Sequence, residues 1–182
     1  NVVWQYREPR AAYAPHHDFV RIFNKELGAY TPLYIANKTV TNEQCLAAGC
    51  DPPDAPYTGA QMDAVVEVDM AGNVVWEWWF IDHVIQDVDA TTANYVGMGK
   101  TIADYPGKLN LNLPGRPVRK DWLHCNSMDY NETLGQIVIN SVQGEFYVID
   151  HDGTFTAGDP AASIAAAATS AGDFLYRFGD PA

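Results

Sequence analysis

Apolar and polar residues alternate in short runs along most of the 182-residue chain. That is the period-two pattern of half-buried strands, not the 3.6-residue period of amphipathic helices. The runs also repeat, which marks a modular architecture. Asn1-Val2-Val3-Trp4-Gln5-Tyr6 returns as Asn73-Val74-Val75-Trp76-Glu77-Trp78, and more loosely as Asp173-Phe174-Leu175-Tyr176-Arg177-Phe178. Val65-Val66-Glu67-Val68-Asp69-Met70-Ala71-Gly72 precedes the second copy, and Phe146-Tyr147-Val148-Ile149-Asp150-His151-Asp152-Gly153 precedes the third. Each reads as a strand ending in Asp, a tight turn with Gly supplying positive φ, and a second strand: a β-hairpin. A His-bearing phrase follows each Trp-bearing strand, first His16-His17-Asp18-Phe19-Val20, then, after a long insertion, Asp121-Trp122-Leu123-His124-Cys125-Asn126-Ser127. The apolar runs Pro32–Ala36 and Gln136–Ser141 come next. The order His-bearing strand, apolar strand, strand-turn-strand is thus stated twice.

Four short antiparallel strands per repeated unit predict an all-β fold of the β-propeller kind. The two blade units fall at about 7–78 and 120–178 of a single domain, with insertions at about 41–60, 84–119 and 155–172. Helix signals are confined to the insertions: Thr41–Ala48 with Thr41 or Asn42 as N-cap, and Ala161–Ala168 with Asp159 or Pro160 at its start. Thr91–Arg119, rich in Gly, Pro and Asn, reads as a long excursion across one face. Two blades cannot close a ring, and an open pair leaves two apolar faces in water. The remaining blades are therefore expected from another chain or from further sequence. Asn1–Tyr6 reads as the middle of a strand, with no initiating Met or signal peptide ahead of it. The expectation is a processed, nicked or partial piece of a longer polypeptide.

Composition narrows the partners. A net charge of −12 with only 11 Lys and Arg disfavours nucleic acid, whose phosphates need a basic surface. An anionic small substrate needs local cations or histidines to overcome the long-range repulsion. No apolar run reaches the roughly 18 residues of a membrane span. Hydrophobic and aromatic fractions of 47% and 12% argue against disorder, and the aromatic share leans toward sheet. Of three cysteines, Cys45 and Cys50 lie in a polar, Pro-bounded insertion, where a local disulfide staples a loop with little core and suits an oxidising compartment. Cys125 is left over, a small buried hydrophobe or, beside His124, a nucleophile or metal ligand.

The first strand of a propeller blade lines the central channel, so His17 and His124, in the same place of the repeat, should converge there from adjacent blades. Asn126, two residues beyond His124, turns to the same side by strand alternation. Two imidazoles and a carboxamide make a cradle for a tetrahedral anion. The bland alternative is that these groups only tie blade ends together, with His16 as the structural partner. Neutral imidazoles facing one axis can also ligate a transition metal. His83 is expected to be peripheral and His151 to be solvated in a hairpin turn. Asp82, Asp87 and Asp89 suggest either a structural calcium ion or a solvated acidic face, and lack the Gly and terminal Glu of a calcium loop. No Gly-rich phosphate loop, nucleophile elbow or paired zinc motif is present.

The phrases Gly72–Trp78, Asp121–Ser127 and Tyr176-Arg177-Phe178-Gly179-Asp180-Pro181 together resemble the arylsulfotransferase (aryl-sulfate sulfotransferase) family, and His16-His17-Asp18 resembles the matching element one blade earlier. The resemblance implies a six-bladed periplasmic propeller. It also implies transfer of a sulfuryl group from a phenolic sulfate ester to a phenol, without 3′-phosphoadenosine phosphosulfate, through a transiently sulfated channel histidine. By motif, His17, His124 and Asn126 would be sulfate-orienting groups, and no cofactor is implied. Two departures stand out. The family's Ser-x-Arg after the next apolar strand is here Asn140-Ser141-Val142-Gln143, and Gln143 can hydrogen-bond a sulfate without neutralising it. No residue of this chain matches the nucleophilic histidine. A different enzyme on the same scaffold (a lyase, a hydrolase or a metal-dependent enzyme) and a non-catalytic binding or structural propeller are the alternatives.

Overall fold

The computed structural model describes residues 1–50, 59–113, 118 and 121–179. Its backbone is mostly strand, arranged as two four-stranded antiparallel sheets. In the first, β1 (Tyr13–Asn24), β2 (Ala29–Thr41), β3 (Gly59–Val68) and β4 (Val74–Trp79) lie side by side in chain order. In the second, β7 (Cys125–Asn131), β8 (Gln136–Ser141), β9 (Glu145–Asp150) and β10 (Tyr176–Gly179) do the same. Between the sheets in sequence, β5 (Val84–Ile85) and β6 (Leu109–Asn110) form a small parallel pair. Helix α1 (Asn42–Ala47) begins at Thr41, whose hydroxyl and the Gln44 amide complete a reciprocal capping box. Helix α2 (Pro160–Ala167) is capped by Asp159 and opened by Pro160 at its first turn. Among the described residues no helix is long and apolar enough to cross a membrane.

Alternation along each strand gives each sheet two faces. Leu33, Ile35, Val65, Trp76 and Trp78 of the first sheet join Met128, Ile137, Ile139, Tyr147 and Ile149 of the second in one buried cluster. Trp76 and Trp78 are almost wholly buried, each contributing about 5 kcal/mol of apolar transfer free energy. Their indole donors are satisfied across the interface, Trp76 Nε1 by Thr154 Oγ1 at 2.9 Å and Trp78 Nε1 by Gly172 O at 2.7 Å. The opposite face of the first sheet carries Tyr34, Ala36, Ala64, Val66 and Val68, covered in part by Trp4 and Tyr6.

Three expectations need correcting. Asn1–Tyr6 pairs with no strand among the described residues; it runs over the far face of the first sheet, where Trp4 Nε1 donates to Met70 O at 2.9 Å and Tyr6 packs on Tyr34. The Asp150–Gly153 phrase forms no tight hairpin. Asp150 Oδ1 accepts from Gly153 N, the chain turns through a 3-10 segment at Asp152–Thr154, and α2 intervenes before β10. His151, expected in solvent, is therefore in the interface with 1% exposure. The Asp69 turn does close a hairpin, its carboxylate accepting from the Ala71 and Asn73 amides while Gly72 takes φ 86°.

The packing is head to tail. Matching Asp69 with Asp150 aligns Val66 and Val68 with Tyr147 and Ile149, and Val65 and Glu67 with Phe146 and Val148. The face of the first sheet buried against the second thus corresponds to the open face of the second, where Phe146, Tyr176 and Phe178 are 44%, 59% and 62% exposed. Trp4 and Tyr6 in turn lie on the first sheet much as Trp76 and Trp78 lie on the second. A heterologous contact of this kind propagates to further units rather than closing on a pair.

Candidate functional site

β1 and β7 are neighbours, each first in its sheet, and each is bulged at its His-bearing phrase. In β1 the register shifts between Pro15 and Phe19, so His16, His17 and Asp18 together face a single position of β2. In β7 it shifts between Cys125 and Ser127, leaving Asn126 as the extra residue. Among the described residues only two non-glycines have positive φ, His17 at 55° and His124 at 50°. For a residue with a Cβ that region costs about 1–2 kcal/mol. His17 lies inside the β1 bulge and His124 immediately before β7, and the left-handed backbone at both accompanies two rings that meet. His17 Nε2 and His124 Nε2 are 2.8 Å apart, with ring centroids at 4.7 Å. The sequence expectation that these two side chains meet is met.

Carboxylates tie the bulges together. Asp63, 1% exposed on β3, accepts from the Cys125 amide at 3.2 Å and faces His16 Nε2 at 2.9 Å. Asp18 accepts from the Met128 amide at 2.9 Å, bridging β1 to β7. Asp121 Oδ2 lies 2.5 Å from His124 Nδ1. His16 Nε2 is thus taken up by Asp63, while His17 Nε2 meets His124. Burial first, and the neighbouring Asp63 second, push the Cys125 thiol well above its ordinary range, so it is a packed side chain and not a thiolate nucleophile.

The remaining expected groups divide. Strand alternation cannot be carried across a bulge, so Asn126 is placed beside the histidines only by sequence adjacency. Its half-buried carboxamide has no hydrogen-bond partner among the described residues. Gln143 donates through Nε2 to Trp122 O at 3.1 Å and serves as a backbone tie. Asp82, Asp87 and Asp89 do not converge: among the described residues no three His, Cys, Asp or Glu side chains are grouped as a metal site. The Cys45–Cys50 disulfide is present, closing the turn after α1.

Two histidines were misplaced by sequence reasoning. His83, expected at the periphery, is fully buried, stacked on Trp78 at 4.7 Å and bonded through Nδ1 to Asp173 at 2.9 Å. Burial dominates there and lowers its pKa despite Asp173. His151 Nε2 faces Glu67 Oε2 and its Nδ1 faces Asp152 Oδ1, both at 2.8 Å. Burial opposes its charge, but the bonds to Asp152 and Glu67 outweigh it and raise its pKa.

No curated protein matches the chain. The family model described as arylsulfotransferase (ASST) matches residues 47–154, a span that contains Asp121, His124 and Asn126 and begins after His17. That match covers more than half of the sequence, and its phrase around His124 is the one the second bulge presents to His17. The chain belongs to the arylsulfotransferase family.

Proposed function

We propose that the chain forms part of a closed propeller that transfers a sulfuryl group from a phenolic sulfate ester to a phenol, without a nucleotide donor. The observation that carries this reading is the meeting of His17, in the β1 bulge, and His124, at the entry to β7 of the adjacent sheet, at 2.8 Å in a chain of this family. Together with Asn126 they orient the sulfate. Both rings are held at one place before substrate arrives; the His17 N–H that points at His124 Nε2 in the resting pair is the donor that turns to a sulfuryl oxygen, over a short distance and at little reorganisation cost. The histidine that carries the sulfuryl group as a covalent intermediate comes from outside this chain.

The head-to-tail packing supports the closed ring. The open face of the second sheet, with Phe146, Tyr176 and Phe178, is the counterpart of the face that the first sheet buries, and a further four-stranded unit would dock on it head to tail. The remaining blades are this chain's partners. The Cys45–Cys50 disulfide supports a periplasmic or extracellular location.

The test uses the chain with the rest of its propeller in place. Release of 4-nitrophenolate from 4-nitrophenyl sulfate is followed with a phenol as acceptor and no nucleotide sulfate present. Replacing His17 or His124 by Gln is expected to lower kcat about 10²–10³-fold. Unchanged turnover in either variant would overturn the assignment.

The tie between Gln143 and Trp122 O favours a second reading, a different enzyme on the same scaffold. It occupies the amide nearest the place where the family carries its arginine. Turnover of a non-sulfated substrate, lost in the same two variants, would establish that reading instead.

A further inference from the structure

The two histidines that meet are not equivalent in their surroundings. His17 has one hydrogen-bond partner among the described residues, the Nε2 of His124. His124 has two, because its Nδ1 also lies 2.5 Å from Asp121 Oδ2. An ionised carboxylate only accepts, so the Asp121 contact requires a proton on Nδ1. A neutral His124 then keeps its lone pair on Nε2 and receives a hydrogen bond from Nε2–H of His17. The chain runs in one direction: His17 donates, His124 accepts and passes the polarity through its ring, and Asp121 terminates it.

Asp121 is itself held by the neighbouring sheet. It forms an isolated parallel bridge with Gln61, and the following amide, Trp122 N, donates to Gln61 O at 3.1 Å. Gln61 belongs to β3 and His17 to β1 of the same sheet. The first sheet therefore positions both ends of the relay, and the second supplies only the imidazole between them. Side-chain exposures of 36% for His124 and 39% for Asp121 leave the relay within reach of a small molecule.

We propose that Asp121 is a positioning residue that acts through His124. It fixes the Nδ1–H tautomer, so that the resting pair presents one donor, His17, and one acceptor, His124 Nε2. The consequence for turnover rests on the sulfuryl-transfer reading; the tautomer does not.

Long-range 1H–15N correlation spectra of the histidine-labelled chain test the tautomer, with resonances assigned through His17→Gln and His124→Gln. His124 is expected to show a protonated Nδ1 and an unprotonated Nε2. Asp121→Asn, whose amide can donate to Nδ1, should invert that pattern, and Asp121→Glu should restore it. In the assembled propeller, Asp121→Asn should lower kcat about 10²-fold with little change in KM, and Asp121→Glu should recover most of the loss. A wild-type His124 protonated on Nε2, or a tautomer indifferent to Asp121→Asn, would overturn the proposal. A correct tautomer in an assembled propeller without sulfuryl transfer would instead sink the functional reading and leave the positioning role standing.

Discussion

Removing His151 tests the polar lock that joins the two sheets behind the site. Glu67 is fully buried on β3, and three side chains satisfy it: Asn24 Nδ2 at 2.9 Å and Thr31 Oγ1 at 2.5 Å on Oε1, and His151 Nε2 at 2.8 Å on Oε2. His151→Ala leaves Oε2 without its only donor among the described residues. Breaking a buried ion pair from one side costs about 3–5 kcal/mol. The two donors left on Oε1 place the expected loss near the lower figure, about 3 kcal/mol. The paired change Glu67→Leu with His151→Leu removes the stranded charge as well, and should recover at least about 2 kcal/mol of that loss. Urea unfolding followed by tryptophan fluorescence reports this directly, because Trp76 packs on the His151 ring at 4.9 Å. The pH dependence has a definite sign. His151 has its pKa raised on folding, so its contribution is complete below the unfolded value of about 6.5 and is lost as pH rises through the folded value. The penalty of His151→Ala must therefore shrink toward alkaline pH. A loss under about 1 kcal/mol, or a penalty that grows with pH, would refute the reasoning.

Three further outcomes follow from the same structure. His17→Gly and His124→Gly each relieve a left-handed backbone, so each should hold or raise stability by up to about 1 kcal/mol in urea while lowering turnover at least as far as the Gln variants do. A destabilised glycine variant would mean that the imidazoles serve the fold. Replacing both Cys45 and Cys50 by Ser should cost about 2 kcal/mol, the loop-closure entropy of so short a ring, measured against the oxidised wild type. His83 titrates lower in the folded chain, so stability should fall as pH drops below about 6.5, and His83→Gln should flatten that acid slope.

Much of this architecture is legible in local sequence, because local sequence causes it. Period-two alternation gives the strands, Thr41 and Asp159 cap the two helices, and the phase of the repeat alone brings His17 and His124 together. What escapes is what distant partners decide. His151 is buried because Glu67 waits 84 positions away, and His83 because Asp173 stands 90 away. The Asp150–Gly153 phrase has the composition of the Asp69 turn, yet Asp150 draws Gly153 N into a 3-10 turn that leads into α2. Asn126 cannot be placed by alternation because the bulge falls on it. The positive φ of the two histidines has only a faint signal in residue type: histidine is enriched there over most non-glycine residues, but His16, His83 and His151 do not adopt it. Asp121 did carry a signal, three residues ahead of His124 in the phrase that marks the family.

The central claim is that the first strands of two stacked sheets bring His17, in the β1 bulge, and His124, just ahead of β7, into a single anion cradle. Titrating sulfate into the 15N-histidine-labelled chain, and following both imidazoles at once, tests it most directly. Both should shift along one common binding curve, and His17→Gln should abolish the response at His124. Separate affinities, or a His124 response that survives His17→Gln unchanged, would show two independent side chains and contradict the account.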